Sequence, residues 1–168
     1  MQIRRVRPEE LAEVGRLTAE VYVGDGLIDS EDAYVRELVD TSRRAREAEV
    51  WVALDDAVSG SPILGSVTFC PVGSAYREIG RDDEGEFRML VVSPQARGRG
   101  VGRALVELCV QRSRDLGYAG IRMSTMDRMT AAHRVYERLG FRREPRDDWS
   151  PVPGVRLLAY AMELAPPG

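Results

Sequence analysis

At 168 residues, 43% of them hydrophobic and 30% charged, the chain has the length and composition of one ordinary globular domain. The formal net charge of −3 does not favour a nucleic-acid partner, and no apolar stretch reaches the roughly 18 residues that a membrane-spanning helix requires. All 24 basic residues are arginine, which excludes a Schiff-base lysine and the lysine of a phosphate-binding loop.

Alternation and helical periodicity predict a strand, two helices and a hairpin in the first half of the chain. Pro8 suits the first turn of a helix, and Ser30, which is followed by acids, suits the start of the next one. In chain order these elements are a strand at Met1–Arg7, a helix from Pro8 that breaks at Gly24, a helix from Ser30 to about Glu47, a strand at Val50–Leu54, a turn at Asp55–Pro62 and a strand at Ile63–Cys70.

The second half alternates strands with helices after a polar loop. Its elements are an apolar, central strand at Glu86–Val92, a helix at Val101–Leu116, a strand at Ala119–Thr125, a short helix at Ala131–Leu139 closed by Gly140, and final strands from Phe141 and over Val155–Leu164. The order βααβββαβαββ combines an antiparallel hairpin with strands joined through helices. It predicts a mixed α/β (α+β) sheet in a single domain over residues 1–168.

The most informative segment, Leu90 to Ala104, joins the end of a strand to the start of a helix through an arginine- and glycine-rich turn. Its glycines remove side chains where a ligand would approach the backbone. The unpaired N–H groups and the dipole of the first helical turn favour an anion such as pyrophosphate, and the arginines add bidentate phosphate donors. The glycines are Gly98, Gly100 and Gly102, and the arginines are Arg97, Arg99 and Arg103.

Two common nucleotide-binding motifs do not fit this segment. In a dinucleotide motif G-x-G-x-x-G the third glycine would fall on Arg103. A phosphate-binding loop of the Walker type ends in Gly-Lys-Ser/Thr, which a chain without lysine cannot supply.

The pattern Arg97-x-x-Gly100-x-Gly102, preceded by Val92-Ser93-Pro94, resembles the coenzyme A pyrophosphate signature of the GNAT superfamily of acetyl-CoA-dependent N-acetyltransferases. Downstream, Ala132 to Phe141 is similar to the second signature of that family, A-x-x-x-Y-x-x-x-G-F, with Tyr136 at its centre. The two blocks have the order and approximate separation found in the family. The element order also matches over nearly the whole chain.

The resemblance implies a GNAT-type fold, a central mixed β-sheet flanked by helices with splayed central strands, and acetyl-CoA as co-substrate without a metal. The pantetheine arm would pair with the strand, and the Val91 amide would be the oxyanion donor. The backbone amides from Gly98 to Ala104 would hold the pyrophosphate. The implied cofactor-binding residues are Leu90, Val91, Val92, Arg97, Gly98, Arg99, Gly100, Val101, Gly102, Arg103 and Ala104.

The implied reaction is direct attack of an amine on the thioester. Tyr136 matches the tyrosine that protonates the departing thiolate. Glu86 is the first candidate for the base, directly or through water, and Glu84 stays open because a bulge would invert the parity of the strand. One departure concerns Met129, which stands where the family usually has an asparagine that bonds the pantetheine.

The acceptor implied by the resemblance is an amine of a small molecule or peptide, with neither nucleic acid nor membrane as partner. The departure at Met129 keeps open a second function, a module that binds acyl-CoA without turnover. No signal-peptide core precedes the domain, so we expect a cytoplasmic protein with reduced, inert cysteines. One histidine and two distant cysteines give no metal-ligand spacing. Homodimers are common among such folds, and the sequence specifies no interface.

Overall fold

The computed structural model describes residues 1–55 and 60–166, and these contain five α-helices and seven β-strands. The helices are α1 (Leu11–Gly24), α2 (Tyr34–Val39), α3 (Thr41–Glu47), α4 (Val101–Asp115) and α5 (Thr130–Leu139). The strands are β1 (Gln2–Arg5), β2 (Glu49–Leu54), β3 (Ile63–Cys70), β4 (Glu84–Val92), β5 (Gly120–Met126), β6 (Arg142–Arg143) and β7 (Leu157–Glu163). Part of the turn predicted at Asp55–Pro62 lies outside the described residues.

The strands belong to one sheet with the order β1-β2-β3-β4-β5-β7-β6. β2 pairs antiparallel with β1 and with β3, as the predicted hairpin requires. β4 pairs parallel with β5, and β7 pairs antiparallel with β5 and β6. The predicted mixed sheet, with β4 in its centre, is therefore confirmed.

The central strand β4 changes its backbone conformation part-way along. Its parallel register with β5 runs from Glu84 opposite Gly120 to Glu86 opposite Arg122. Three residues further on, Met89 has a φ of 53°, in the left-handed region that side chains other than glycine rarely adopt. The strand is thus kinked immediately before Leu90, the first residue expected to meet the cofactor.

The single helix predicted from Ser30 to Glu47 is wrong, because this segment forms the two short helices α2 and α3. Asp40 interrupts it with φ −80° and ψ 64°, and its carboxylate accepts a hydrogen bond from the Arg43 amide as the N-cap of α3. A Cβ on Gly15 of α1 would lie 2.4 Å from the Val39 carbonyl oxygen. The break therefore lies where the chain passes directly against α1.

The chain folds as two compact units. The first comprises Met1–Phe69 and Met89–Leu105, and the second comprises Cys70–Arg88 and the chain from Val106 onward. In the first unit one face of α1 packs on apolar residues of the sheet: Val14, Leu17 and Val21 against Val50, Val52, Leu54, Ile63 and Val91. The single domain over 1–168 stays a prediction. Among the helices of the described residues, none combines the length and the apolar character needed to cross a bilayer.

Candidate active site

The turn between β4 and α4 has an open glycine backbone. Gly98 and Gly100 have φ values of 76° and 78°, and a Cβ built on either would meet no atom within 4 Å. Glycine is favoured there for its conformation, and the space beside the backbone is free for a ligand. The first helical bond runs from the Ala104 N–H to the Gly100 carbonyl at 3.0 Å. The amides before Ala104 thus form the exposed N-terminus of a helix of 15 residues.

Two arginines of this turn are held by carboxylates of the same unit. Arg97 Nη2 lies 2.8 and 2.9 Å from the two carboxylate oxygens of Asp25, directly after α1. Arg99 Nη2 lies 2.9 and 3.0 Å from those of Asp55, directly after β2. The four side chains are between 37% and 52% exposed, so these ion pairs are weak and their arginines can turn toward a phosphate at small cost. No sequence motif marks Asp25 or Asp55 as partners of the turn.

The backbone groups at the end of β4 divide between its two edges. The Ser93 N–H donates to a carbonyl of β3 at 2.8 Å, and the Val91 carbonyl oxygen lies 2.7 Å from where a Cβ on Gly65 of β3 would stand. Val91 and Ser93 therefore face β3. Successive residues of a strand alternate their N–H and C=O groups between the two edges, so those of Leu90 and Val92 face away from β3.

This parity favours the amide of Leu90 or Val92 over that of Val91 as the donor to an acyl oxygen. The role of each of these amides stays a prediction. The Ala104 amide already donates to the Gly100 carbonyl, and the Arg99 amide donates to the Ala96 carbonyl at 3.4 Å, so neither N–H is available to a pyrophosphate without breaking that bond. A motif locates a loop, but it does not reveal which edge of a strand each amide faces.

Glu86, the first candidate for the base, is enclosed by backbone amides. Its side chain is fully buried, and its carboxylate accepts hydrogen bonds from the N–H groups of Glu78, Ile79 and Gly80 at 2.8 to 3.1 Å. These bonds fasten the loop that precedes β4. Direct contact between this carboxylate and a substrate amine, which the sequence left open, does not fit such a closed environment.

Glu84, the alternative base, belongs to an ion-pair network. Its two carboxylate oxygens lie 2.7 and 3.1 Å from the guanidinium of Arg122, whose side chain is 3% exposed. Arg122 also donates to Asp147 at 2.6 Å. Burial opposes the ionised form of Glu84, but the bonds from Arg122 and from the Arg81 amide outweigh it and lower the pKa of Glu84. A carboxylate held in this way is a poor proton acceptor near neutral pH.

Tyr136 lies in an aromatic cluster of the second unit and is only 2% exposed. Its ring centroid is 6.0 Å from those of Phe87 and Tyr160 and 6.1 Å from that of Phe141. The Tyr160 hydroxyl donates to Glu137 at 3.2 Å. Burial, and next the hydrogen bond with Glu137, raise the pKa of Tyr160. The cluster fixes the ring of Tyr136, and its role as an acid stays a prediction.

Met129 begins helix α5 as its N-cap, where no side-chain cap bond is formed. The Thr125 hydroxyl, on β5, contacts the Met129 sulfur at 3.7 Å. Thr125 is 4% exposed. The family's asparagine position is thus occupied by an apolar side chain packed against a buried hydroxyl.

Two acids that follow β6 have arginine partners. Asp147 is paired with Arg122, and Asp148 receives two bonds of 2.8 Å from Arg143. Tyr76 is 4% exposed, and the guanidinium of Arg88 lies over its ring, 5.8 Å from the ring centroid. An ordinary polar loop describes this region better than a cation-binding surface.

Comparison with known families decides the assignment that these features suggest. Residues 46–143 match the family model described as the acetyltransferase (GNAT) domain. The chain belongs to the GNAT acetyltransferase family. The match includes β4, the glycine turn and α5, which carry both sequence signatures.

Several proteins are similar to this GNAT domain in sequence. A mycothiol acetyltransferase of Cellulomonas flavigena is 33% identical over 142 residues, which are 74% of this chain and 39% of that protein. N-acetyltransferase family 8 member 2 of Rattus norvegicus is 36% identical over 93 residues, 55% of this chain and 38% of that protein. The GNAT domain thus spans well under half the length of either relative.

Solved structures share the fold over nearly the whole chain. An acetyltransferase of the GNAT family from Staphylococcus aureus Mu50 superposes with a TM-score of 0.76 at 16% identity and covers 98% of this chain and 99% of its own. The PaiA N-acetyltransferase of Thermoplasma acidophilum, solved in complex with coenzyme A, superposes with a TM-score of 0.73 at 14% identity, over 97% and 98% of the two chains. At these identities the likeness shows the fold, and the predicted GNAT-type fold is confirmed.

Proposed function

We propose that this GNAT domain transfers an acetyl group from acetyl-CoA to a primary amine of a small molecule or peptide. The observation that carries the proposal is the turn between β4 and α4. There, two glycines with positive φ leave open space directly before the N-terminus of a 15-residue helix. A diphosphate meets N–H donors and a favourable dipole at such a place.

The residues of the turn and of β4 fit acetyl-CoA. The amides of Gly98, Gly100, Val101 and Gly102 bind the pyrophosphate, and the side chains of Arg97 and Arg99 exchange their carboxylate partners for phosphate oxygens. The edge of β4 that faces away from β3 offers the backbone groups of Leu90 and Val92 to the pantetheine and to the acyl oxygen. When bound, acetyl-CoA supplies an acyl group that its thioester activates for transfer to nitrogen.

In the transfer step the amine nitrogen forms a bond to the acyl carbon, and the carbon–sulfur bond breaks. The Leu90 N–H stabilises the negative charge that develops on the acyl oxygen. Tyr136 gives its hydroxyl proton to the departing thiolate. Glu86 is the base and receives the proton of the amine through water, because its carboxylate is buried out of direct reach of a substrate amine.

Direct transfer, rather than a covalent acyl-enzyme, agrees with the state of Cys70. Burial and the nearby charge of Glu86 raise the pKa of this thiol to about 12. A thiol with such a pKa is not ionised near neutral pH and is a poor nucleophile. The Cys109 side chain is also fully buried.

The second candidate function is an acyl-CoA-binding module without turnover. It is favoured by one observation, the Met129 side chain at the position of the pantetheine-binding asparagine. A single assay distinguishes the two functions. Release of free thiol from acetyl-CoA in the presence of a panel of amines supports the transferase, whereas saturable coenzyme A binding without thiol release supports the module.

The site assignment is tested with Gly100→Glu. Its carboxylate would face the pyrophosphate, so we expect acetyl-CoA affinity to fall by more than about tenfold, which is 1.4 kcal/mol. Gly154→Glu is the matched control, because Gly154 also has a positive φ, 84°, and open space around its Cβ position. Calorimetric titration of both variants decides the matter: equal affinities would remove the turn from the cofactor site.

A further inference from the structure

Arg44, in helix α3, is the largest of the fully buried side chains in the described part of the chain, with 1% of its surface exposed. Its Nη1 donates to the Met89 sulfur at 2.8 Å, and its Nη2 donates to the Thr41 hydroxyl at 2.9 Å. A guanidinium stays charged at every physiological pH, and its burial costs several kcal/mol before any compensation. Neither family signature includes this residue.

One partner of this buried guanidinium is the residue at which β4 kinks. Met89 is 5% exposed and has a φ of 53°. A residue with a Cβ adopts this conformation at a cost of about 1–2 kcal/mol, so the surroundings have to hold it. The peptide that follows Met89 carries the Leu90 N–H, the donor assigned to the acyl oxygen. The conformation of Met89 therefore sets the direction of that donor.

Helix α1 fixes the other end of the contact. A Cβ on Gly15 would lie 3.0 Å from the Thr41 hydroxyl oxygen, so α1 passes directly against the residue that holds Arg44. Thr41 is itself 1% exposed. The guanidinium of Arg44 thus connects the Thr41 hydroxyl, which lies against α1, to the side chain of Met89 in β4.

We propose that Arg44 is a positioning residue that holds Met89 in its left-handed conformation and thereby directs the Leu90 N–H at the acyl oxygen of the bound thioester. This inference rests on the proposed function. It assigns Arg44 an effect on the transfer step and none on the turn that binds the pyrophosphate. A buried arginine that served packing alone would affect stability instead.

The test is Arg44→Met, which removes the guanidinium and its charge but keeps most of the buried side-chain volume. We expect kcat to fall by about tenfold or more, with the KM for acetyl-CoA within about twofold. Met89→Leu, a volume-conserving exchange that removes the sulfur acceptor, should lower kcat to a similar extent, and the two losses should not add. Arg43→Met is the matched control on the exposed side of α3, and its kcat should stay that of the wild type.

A rescue separates positioning from packing. Glycine adopts positive φ without strain, so Met89→Gly in the Arg44→Met background should recover kcat to within about threefold of the wild type. A structural role alone would make this double variant the least active and the least stable. Unchanged kcat in Arg44→Met or in Met89→Leu would overturn the proposal, and so would losses that follow stability.

Amide exchange provides a readout that does not need turnover. In the wild type, acetyl-CoA should protect the Leu90 amide from hydrogen exchange. In Met89→Leu this protection should be lost while the amides of Gly100 and Gly102 keep theirs. Absence of protection at every one of these amides in the wild type would contradict the proposed function itself. Protection at Leu90 that persists in Met89→Leu would contradict only the role of Arg44.

Discussion

The two side chains proposed for proton transfer act on opposite faces of β4. Glu86 reaches the amides of the loop before the strand, whereas its neighbour Phe87 packs on the ring of Tyr136 at 6.0 Å. Adjacent residues of a strand point to opposite faces, so the loop and the aromatic cluster are separate environments. Each proton transfer can therefore be altered without disturbing the surroundings of the other.

This separation predicts the pH profile of the reaction. The acid has to be protonated, so kcat should fall at alkaline pH. Tyr136→Phe keeps the aromatic packing and should lower kcat by about a hundredfold and remove the alkaline limb, with little change in acetyl-CoA affinity. Glu86→Gln should lower kcat and also reduce stability, because an amide NH₂ would face backbone N–H groups of the loop that now donate to the carboxylate.

Tyr160→Phe is the control for the aromatic cluster. The ring centroids of Tyr160 and Tyr136 lie 6.0 Å apart. The substitution removes the Tyr160 hydroxyl and, with it, the hydrogen bond to Glu137. A loss of the alkaline limb in this variant, with an intact limb in Tyr136→Phe, would assign the acid to Tyr160. Stopped-flow measurement of thiol release between pH 5 and 10 provides both profiles.

Met129→Asn restores the polar side chain that the family usually has at the start of α5. One added hydrogen bond to the pantetheine is worth about 1 kcal/mol, so the Kd for coenzyme A should fall about fivefold. Asparagine is also a good N-cap, so a rise in thermal stability without tighter binding would mean that the amide caps the helix instead. Met129→Leu, which adds no polar group, should leave both quantities unchanged.

At the scale of elements, α1 packs against the α2–α3 junction through a contact that only glycine allows. A Cβ on Gly15 would lie 2.4 Å from the Val39 carbonyl oxygen, closer than any real contact. Gly15→Ala should therefore lower the free energy of unfolding by roughly 1–3 kcal/mol, despite the higher helix propensity of alanine. Denaturant titration measures this change.

Gly24→Ala, in the same helix, is the matched control for Gly15→Ala. A Cβ on Gly24 would meet nothing within 4 Å, so the substitution should stabilise the protein by up to about 1 kcal/mol. Opposite signs for the two variants are the expected result. A stabilising Gly15→Ala would mean that the junction can move away from α1.

Elements with a local signal were predictable from the sequence. The bounds of β3 agree with the prediction, and α5 is capped by Gly140, as predicted, which has a φ of 101° in the left-handed C-cap conformation. The division of the predicted helix at Asp40 was not predictable in this way. Its cause is the approach of the Val39 carbonyl to Gly15, and periodicity within one segment carries no information on a contact with another.

At the scale of the whole molecule, the sequence predicted the family, because its signatures depend on residue types at short, fixed spacing, and the anion-binding role of the turn stays a prediction. The sequence did not predict the environment of Glu86 or the edge that Val91 faces. Both depend on strands and loops that meet only in the folded sheet. The burial of Arg44 was not predictable either, because nothing in its sequence neighbourhood distinguishes it from the exposed arginines of α3.

The stability of the whole protein should depend on the buried ion pair between Glu84 and Arg122. Removal of one partner leaves an uncompensated charge, so Arg122→Met should lower the free energy of unfolding by about 3–5 kcal/mol. The pKa of Glu84 in the folded protein lies below its ordinary value of 4.5. Its contribution is therefore complete above that value and is lost as the pH falls through the lowered pKa.

Chemical denaturation of the wild type and Glu84→Gln between pH 7 and pH 3 tests this dependence. The two proteins should differ most at neutral pH, and the difference should shrink below about pH 4.5, where the wild-type carboxyl becomes protonated. Glu20→Gln is the matched control, because its pair with Arg16 is more than half exposed on both sides and should change stability little at any pH. A gap between wild type and Glu84→Gln that stays constant down to pH 3 would assign the role of Glu84 to packing rather than to its charge.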